Sequence, residues 1–360
     1  MTEQLKNVIA AFDFDGELES AKPFGSGHIN DTILVTTKKN NQYILQRMNT
    51  NVFTNPQGLM ENVFGVTEYL KKRIVEQGGN PNKETLTFIR TNDGGLYYDG
   101  AEGTWRAYRF QSELIALNAP RSTRDFYASG KAFGRFQALL GDYPADTLCE
   151  TIPHFHDTPA RMKQLHEAID NNAAGRLDTV REEVEFALAR EESSAIVMDL
   201  QAEGILPLRV THNDTKLNNV LLDPETGDGV CVIDLDTVMP GQAIFDFGDS
   251  IRFGASTAAE DEKDLSKVEM SLELFEAYTK GFLEGCSNVL SQAEKDLLPT
   301  GAWMMTLECG IRFLADYLNG DVYFKTEYPE HNLDRARTQF KLVKEMEEKQ
   351  DQMQAIVAKY

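Results

Sequence analysis

Cysteine, cationic residues and long apolar runs are all scarce in this 360-residue chain. The four cysteines are scattered and form no Cys-x-x-Cys pair, which disfavours zinc and dithiol redox sites and favours free thiols in a reducing compartment. No apolar segment reaches the roughly 18 residues of a transmembrane helix, and the first residues open no signal-like apolar run. These absences predict a soluble, cytoplasmic protein.

The shortage of cations gives the chain a formal net charge of −21. Such a charge disfavours nucleic acid and anionic membrane surfaces as main partners. It does not exclude ATP, because a phosphate site needs only local positive charge and a metal. The length suggests two or three packed units rather than one small core.

The most informative stretch covers residues 211–234. It reads His-x-Asp-x-x-x-x-Asn, a short apolar strand, a Gly-containing turn and a second strand that ends in Asp234. This order is typical of the catalytic hairpin of kinase-type phosphoryl transfer. Asp214 is the candidate base for the attacking hydroxyl, and Lys216 can reach the transferring phosphate. Asn219 and Asp234 are the candidate magnesium ligands.

A polar loop between two buried strands is the alternative interpretation, with Asp and Asn satisfying backbone donors. It would suffice for one aspartate. The coincidence of three residue types, two spacings and two strands favours the catalytic hairpin, and the presence of all three key residues disfavours a non-catalytic nucleotide-binding protein.

The N-terminal part supplies candidates for the ATP site. Residues 1–22 predict a leading helix. Gly25 and Gly27 precede a strand and predict a loop whose N–H groups cover phosphates, although tight turns need glycine anyway. Arg47, at the end of the next strand, is the candidate phosphate cation or else a solvated charge. On the predicted helix 56–76, either Glu61 or Glu68 could pair with it.

A strand meander between residues 86 and 110 completes a small β-rich lobe. The backbone at Arg109 and Phe110 would meet the adenine edge where this lobe ends. Helical periodicity dominates from residue 122 onward, and helix starts are predicted at Ser122-x-x-Asp125 and at Asp157-Thr158-Pro159. The chain is therefore predicted to be an α+β, protein-kinase-like bilobal protein, with an ATP-binding lobe over residues 1–110 and a helical lobe over residues 111–360.

Two further sets of polar residues lie beyond the hairpin. Asp246 belongs to a literal Asp-Phe-Gly, but no strand immediately precedes it, so it is predicted to brace the catalytic loop. Asp236 is predicted to share a strand face with Asp234 and is therefore a secondary metal candidate. Arg312 and Asp316 share one helix face, and Tyr323 follows. They form either a surface ion pair or part of an acceptor pocket.

The hairpin and the later Phe-Asp-Phe-Gly-Asp resemble the aminoglycoside phosphotransferase and choline kinase superfamily, and within it the family of N-acetylhexosamine 1-kinases. The resemblance spans nearly the whole chain, and its runs lie at residues 27–30, 43–49, 211–219, 233–237, 247–255, 312–318 and 328–333.

The resemblance implies ATP- and Mg²⁺-dependent phosphorylation of the anomeric hydroxyl of GlcNAc or GalNAc to the sugar 1-phosphate. It implies Asp214 as base and Arg312 and Asp316 as holders of sugar hydroxyls. His28, Tyr323 and Phe253 are weaker sugar-side candidates. The alternative acceptors are choline, homoserine or an aminoglycoside, which the acidic composition favours to some degree. Oligomeric state is not predicted.

Overall fold

The computed structural model describes residues 2–25 and 30–360. Gly27 and His28, two of the predicted site residues, lie outside the described residues. The described chain forms an antiparallel sheet lobe followed by a helical lobe, which confirms the predicted α+β, kinase-like class. The proposed division near residue 110 falls where the large sheet ends.

The N-terminal lobe is built on a six-stranded antiparallel sheet of order β1-β2-β3-β6-β4, with β5 paired to β6. Its strands are β1 (Leu18–Pro23), β2 (Asp31–Thr37), β3 (Gln42–Arg47), β4 (Phe88–Ile89), β5 (Tyr98–Gly100) and β6 (Gly103–Arg109). In the central β3–β6 pair, Gln46 lies opposite Arg106 and Arg47 opposite Trp105. Because side chains alternate along a strand, these two pairs face opposite sides of the sheet.

Three helices accompany this sheet: α1 (Glu3–Ala10), α2 (Pro56–Glu76) and α3 (Pro81–Glu84). The helix α1 packs Val8 and Ile9 against Tyr43, Leu45 and Trp105 to form the core of the lobe. The prediction of one helix over residues 1–22 is wrong in its second half, because the chain turns and forms the edge strand β1. That strand mixes charged Glu19 and Lys22 with small residues and lacks a strong apolar period.

The second lobe contains five short strands: β7 (Ile115–Ala116), β8 (Arg209–Thr211), β9 (Val220–Leu222), β10 (Gly229–Val232) and β11 (Met239–Gly241). Strands β10, β9 and β7 form one small antiparallel sheet, and β8 pairs with β11 in another. The predicted hairpin is therefore present as β9, a turn and β10. The antiparallel pairing of β8 with β11 places the catalytic loop, which follows β8, next to this hairpin.

The remainder is helical. The helices are α4 (Thr123–Leu139), α5 (Thr158–Asn171), α6 (Arg181–Leu188), α7 (Glu191–Ser194), α8 (Ile196–Ala202), α9 (Ala243–Gly254), α10 (Leu272–Cys286), α11 (Gln292–Asp296), α12 (Leu298–Asn319), α13 (His331–Glu348) and α14 (Gln350–Val357). Single 3₁₀ turns occur at Ala145–Thr147, Leu177–Thr179, Leu217–Asn219, Leu235–Thr237 and Leu265–Lys267.

Local sequence explains where the site-forming helices start. Ser122 caps α4 by accepting a hydrogen bond from the Asp125 N–H, and Asp157 caps α5 by accepting one from the Ala160 N–H, 3.0 Å away. Both starts were predicted. Glycines then let α4 and α10 approach closely, since a Cβ at Gly130 or Gly281 would clash with the opposite backbone. This tight pair forms one wall behind the catalytic loop.

Within the described ranges, none of the helices combines the length and the apolar content that a membrane span requires.

Candidate functional site

The catalytic loop, residues 212–219, follows β8, which ends at Thr211. One buried carboxylate holds the first residues of this loop in place. Asp246, in the first turn of α9, accepts hydrogen bonds from the backbone N–H of His212 (2.9 Å) and of Asn213 (2.8 Å). Gln137 of α4 donates a third bond to it, at 2.7 Å. Asn213 adopts a left-handed conformation with φ 65°, which turns the next residue out of the strand. The predicted bracing role of Asp246 is confirmed.

That turn presents Asp214 to the cleft beside Lys216. The Lys216 Nζ lies 2.8 Å from Asp214 Oδ1, and both side chains are about one-third exposed. Burial acts to raise the pKa of the Asp214 carboxyl, but the Lys216 ammonium outweighs it and the net pKa is lowered. Asp214 is therefore ionised at neutral pH, with lone pairs available to a hydroxyl.

Asn219 and Asp234 lie side by side because the strands of the hairpin bring their backbones together. The Ile233 N–H donates to the Asn219 carbonyl at 2.9 Å, and Asp234 follows in a left-handed conformation with φ 59°. The Asn219 Nδ2 donates to the Asp214 carbonyl at 2.8 Å, so Oδ1 is the atom of this amide that could coordinate a cation. Asp214, Asn219 and Asp234 thus converge as the spacing predicts.

The electrostatics of this turn fit a divalent cation. Asp234 is exposed to solvent but has protein groups on several sides. Desolvation is the largest effect on its carboxyl, followed by the charges of Asp236 and Asp214, and together they raise its pKa to about 7. A cation here would relieve that repulsion. In residues 2–25 and 30–360 no group of three or more His, Cys, Asp or Glu side chains is arranged to hold a metal alone. Two protein oxygens plus substrate phosphates are the usual arrangement for Mg²⁺.

Asp236 does not share a strand face with Asp234, contrary to prediction. It lies in the 3₁₀ turn Leu235–Thr237, and only 4% of its surface is exposed. Its Oδ2 accepts a hydrogen bond from Asn30 Nδ2 at 2.8 Å, and its Oδ1 forms an ion pair with Arg106. Its carboxylate is therefore engaged by two side chains of the N-terminal lobe.

Arg47 is not placed where a phosphate cation would be needed. It is exposed and lies on the face of β3 that carries Tyr43 and Leu45, which pack on α1. Its assignment to the phosphates is corrected for this geometric reason. The cleft face of the same sheet carries Arg106, whose Nε and Nη2 donate to Gln46 Oε1 at 3.1 and 2.9 Å.

Neither candidate glutamate of α2 pairs with Arg47. Glu68 pairs with Lys71, and Glu61 accepts a bond from Gln57; both are exposed. The inward position of α2 is held instead by Asn62. Its side chain bonds the Cys149 N–H and carbonyl and the Val238 carbonyl at 2.7 to 3.0 Å. A neutral amide thus attaches this helix to the second lobe.

The predicted adenine-binding backbone is partly occupied. The Arg109 N–H donates to the Thr87 carbonyl and the Phe110 N–H to the Gln42 carbonyl, at 2.8 and 3.0 Å. The ring of Phe110 meets that of Phe24 edge-on, with centroids 5.1 Å apart. Gly25, next to Phe24 in the chain, has a φ of 74°.

A buried relay joins the catalytic loop to the long helix α12. His156 Nε2 donates to the Asn213 carbonyl at 3.1 Å, and His156 Nδ1 lies 2.8 Å from Glu308 Oε1. Thr158 donates to the other oxygen of Glu308 at 2.8 Å. Burial would raise the pKa of the Glu308 carboxyl, but His156 holds it below its usual value. The relay fixes α12 relative to Asp214.

One turn further along α12, Arg312 faces a cavity of about 280 Å³ between α5 and α12. Its guanidinium carbon lies 5.3 Å from the ring centre of Phe155, 5.5 Å from that of Phe324 and 6.0 Å from that of Tyr323. The Phe155 ring contacts that of His156 in a tilted arrangement, with centroids 4.4 Å apart. Phe155 and His156 therefore link Arg312 to the backbone of Asn213.

Arg312 has no ion-pair partner in the described part of the chain, so the predicted alternative of an Arg312–Asp316 surface pair is wrong. The Asp316 carboxylate instead accepts the backbone N–H groups of Val322, Tyr323 and Phe324 at 2.9 to 3.0 Å. A fourth bond comes from Asn332 at 2.9 Å. Asp316 thus shapes the loop that carries Tyr323, which is 60% exposed.

Phe253, the remaining sugar-side candidate, lies half-buried near the end of α9. The guanidinium carbon of Arg252 is 6.0 Å from its ring centre. It is not among the residues described as lining the cavity.

Several site residues are missed by sequence reasoning. Arg106 and Arg161 lie on elements far apart along the chain and carry no motif, and Asn30 ends the run 27–30 without a predicted role of its own. Strand alternation could have placed Arg106 on the face of Tyr108, but the register that sets it opposite Gln46 has no local signal. Arg161, on the wall of the cavity, donates to the Phe155 carbonyl at 2.9 Å.

Comparison with known proteins gives a match to the phosphotransferase enzyme family (APH) over residues 20–273. Solved structures of similar fold share few residues. An amicoumacin kinase bound to AMP-PNP and Ca²⁺ has a TM-score of 0.60 and 15% identity, covering 97% of this chain and 94% of that one. Spectinomycin phosphotransferase, in complex with ADP and spectinomycin, has a TM-score of 0.59 and 14% identity, and the match covers 98% of this chain and 99% of that one. Choline kinase from Cryptosporidium parvum Iowa II has a TM-score of 0.58 and 15% identity, and the match covers 95% of this chain and 92% of that one.

Proposed function

The chain belongs to the phosphotransferase enzyme family, and we propose that it transfers the γ-phosphate of ATP to the anomeric hydroxyl of an N-acetylhexosamine. GlcNAc and GalNAc are the proposed acceptors, and the sugar 1-phosphate is the product. The observation that carries the choice of acceptor is the Arg312 guanidinium, which has no ion-pair partner among the described residues and lines a cavity together with Tyr323 and Phe324.

A guanidinium has only donors, so Arg312 suits oxygen acceptors such as sugar hydroxyls or an N-acetyl carbonyl. The rings of Phe155, Tyr323 and Phe324 offer apolar faces to a pyranose ring. The cavity is near the lower end of the volumes that take small ligands. Together these groups support a neutral, oxygen-rich acceptor.

The same cavity disfavours cationic acceptors such as choline. A quaternary ammonium that used these ring faces would lie beside the Arg312 guanidinium, which sits 5.3 to 6.0 Å from the three ring centres and would repel a second cation. Of the two carboxylates that line the cavity, Asp316 is bonded to the loop and Glu167 is exposed. The overall acidity of the chain, which favoured cationic acceptors, is therefore not matched in this cavity.

The proposed reaction needs mainly positioning and charge. Asp214 accepts a hydrogen bond from the acceptor hydroxyl and takes its proton late, while Lys216 offsets charge on the transferring phosphate. Asn219 Oδ1 and the Asp234 carboxylate would hold Mg²⁺, which when bound neutralises the phosphates. The adenine is proposed to lie between the lobes near Phe110, with Gly25 at the start of the phosphate loop.

The acceptor is tested by measuring ATP consumption with a panel of alcohols. GlcNAc and GalNAc are compared with glucose and galactose, and all four with choline, ethanolamine and an aminoglycoside. We expect kcat/KM for the N-acetylhexosamines to exceed that for choline by at least about 100-fold, because the unmatched charge would be buried. Higher kcat/KM for any of the amines would overturn the proposed acceptor.

Arg312→Ala should raise the KM for the sugar about tenfold or more and leave the KM for ATP within about twofold, because one charged hydrogen-bond donor is lost on the acceptor side. Steady-state kinetics with each substrate varied in turn checks this. The matched control is Arg190→Ala. Arg190 also stacks on an aromatic ring, that of Phe186 at 3.5 Å, but it pairs with Glu347 outside the cavity. Equal losses for both substrates would contradict an acceptor role for Arg312.

A further inference from the structure

Two side chains of the N-terminal lobe hold one carboxylate of the C-terminal lobe. Asn30, just before β2, donates to Asp236 Oδ2 at 2.8 Å, and Arg106, on β6, forms an ion pair with Asp236 Oδ1. The Asp236 backbone is fixed as well, since Thr151 donates to its carbonyl at 3.1 Å. Asn30, Arg106 and Asp236 are called the interlobe clasp below.

The clasp is buried, with 2% of Arg106 and 4% of Asp236 exposed. A buried ion pair is weak evidence for stability, because apolar residues of similar volume often stabilise a protein as well or better. The Nε and Nη2 groups of Arg106 donate to Gln46, which in turn donates to Thr32 at 3.1 Å. The arrangement therefore serves to fix the position of the N-terminal lobe relative to Asp236, rather than to fill a hydrophobic core.

The two ends of the clasp lie where a nucleotide would meet both lobes. Asn30 also accepts a bond from the Asn49 N–H at 3.1 Å, so it holds the start of β2 next to the end of β3. Asp236 is two residues past Asp234, the proposed metal ligand. Closing the clasp thus sets the strand after the proposed phosphate loop at a fixed distance from the metal-binding turn.

We propose that Asp236 is a positioning residue, which through Asn30 and Arg106 holds the lobes in the arrangement that binds nucleotide. This inference rests on the proposed binding of ATP between the lobes. It assigns Asp236 neither to the metal nor to the phosphates. Preorganising the two halves of a site lowers the ordering cost of binding, so breaking the clasp weakens nucleotide binding even without a metal.

A purely electrostatic role makes the opposite prediction for one variant. If Arg106 and Asp236 acted only through their charges on the phosphates, Arg106→Met would weaken ADP binding and Asp236→Asn would tighten it. A clasp predicts that both substitutions weaken it. A metal-ligand role for Asp236 predicts a loss only when Mg²⁺ is present. The three roles therefore differ in sign or in metal dependence.

The test is calorimetric titration of the full chain with ADP, in EDTA and in Mg²⁺. We expect Arg106→Met and Asp236→Asn each to weaken ADP binding about tenfold in both buffers, and the double variant to lose about as much as one of them, because the residues act as a unit. Arg47→Met, an exposed arginine on the opposite face of the sheet, should stay within about twofold.

Asn30→Ala provides a second test that changes no charge and leaves the ion pair intact. It should weaken ADP binding a few-fold in both buffers, and thermal unfolding shows whether each variant is folded. Tighter ADP binding by Asp236→Asn, a loss confined to Mg²⁺, or wild-type affinity in Asn30→Ala would overturn the clasp. The titrations contain no acceptor and are therefore independent of the acceptor panel. If the panel showed no preference for N-acetylhexosamines while these variants still bound ADP more weakly, the proposed acceptor would be rejected and the clasp would stand.

Discussion

Asp214→Asn is expected to lower kcat by about 10²- to 10⁴-fold while ADP binds with near wild-type affinity. The amide keeps the shape of the side chain but cannot take the proton of the acceptor hydroxyl. The loop itself should remain in place, because Asp246 holds it through the backbone of His212 and Asn213. Steady-state kinetics combined with calorimetry of ADP binding separates the two quantities.

The matched control for this substitution is Asp228→Asn. Asp228 is an exposed aspartate in the turn of the same hairpin, and its backbone bonds to Asp223 do not depend on its charge. It should retain wild-type kcat. Near-normal turnover in Asp214→Asn, or a loss explained entirely by failed nucleotide binding, would remove Asp214 from the role of base.

Asp234→Asn is the second substitution with a large expected effect. We expect kcat to fall by at least about 100-fold at saturating ATP, because the metal loses its one carboxylate ligand of the protein. The stabilisation of the protein by Mg²⁺ and ADP together should fall as well. In EDTA, by contrast, the melting temperature should not decrease, since the substitution removes a charge that Asp236 and Asp214 oppose.

A magnesium titration of activity and thermal shift measurements with and without EDTA check this pair of expectations. Asp228→Asn again serves as the control for the same chemical change. Wild-type turnover across the magnesium titration would show that Asp234 is not a metal ligand.

The sequence predicts the C-terminal part of the site well because its information is local. Asp214 and Asn219 are five residues apart in one loop, and β9 and β10 are joined by a short turn, so their convergence follows from the hairpin alone. The bracing by Asp246 was predicted because the Asp-Phe-Gly lacks a preceding strand. The capped starts of α4 and α5 followed from Ser122 and Asp157 in the same way.

The N-terminal part was predicted less well because its site depends on pairings between distant strands. The choice of Arg47 over Arg106 turns on which face of β3 meets the cleft, and that is decided by the packing of Tyr43 and Leu45 on α1. The replacement of a glutamate by Asn62 on α2 depends on partners more than 80 residues away. The sequence left Asp316 available to a ligand, because it carries no signal that the backbone N–H groups of residues 322–324 bond to this carboxylate.

The central claim is that the anomeric hydroxyl of an N-acetylhexosamine receives the phosphate. The most direct measurement is the ³¹P NMR spectrum of the product formed from GlcNAc, ATP and Mg²⁺ by the purified protein. The predicted result is a new phosphate monoester whose phosphorus couples to the single anomeric proton and which is hydrolysed by mild acid. A phosphorus coupled to the two protons of carbon 6, or no sugar product while choline or an aminoglycoside is phosphorylated, would contradict it.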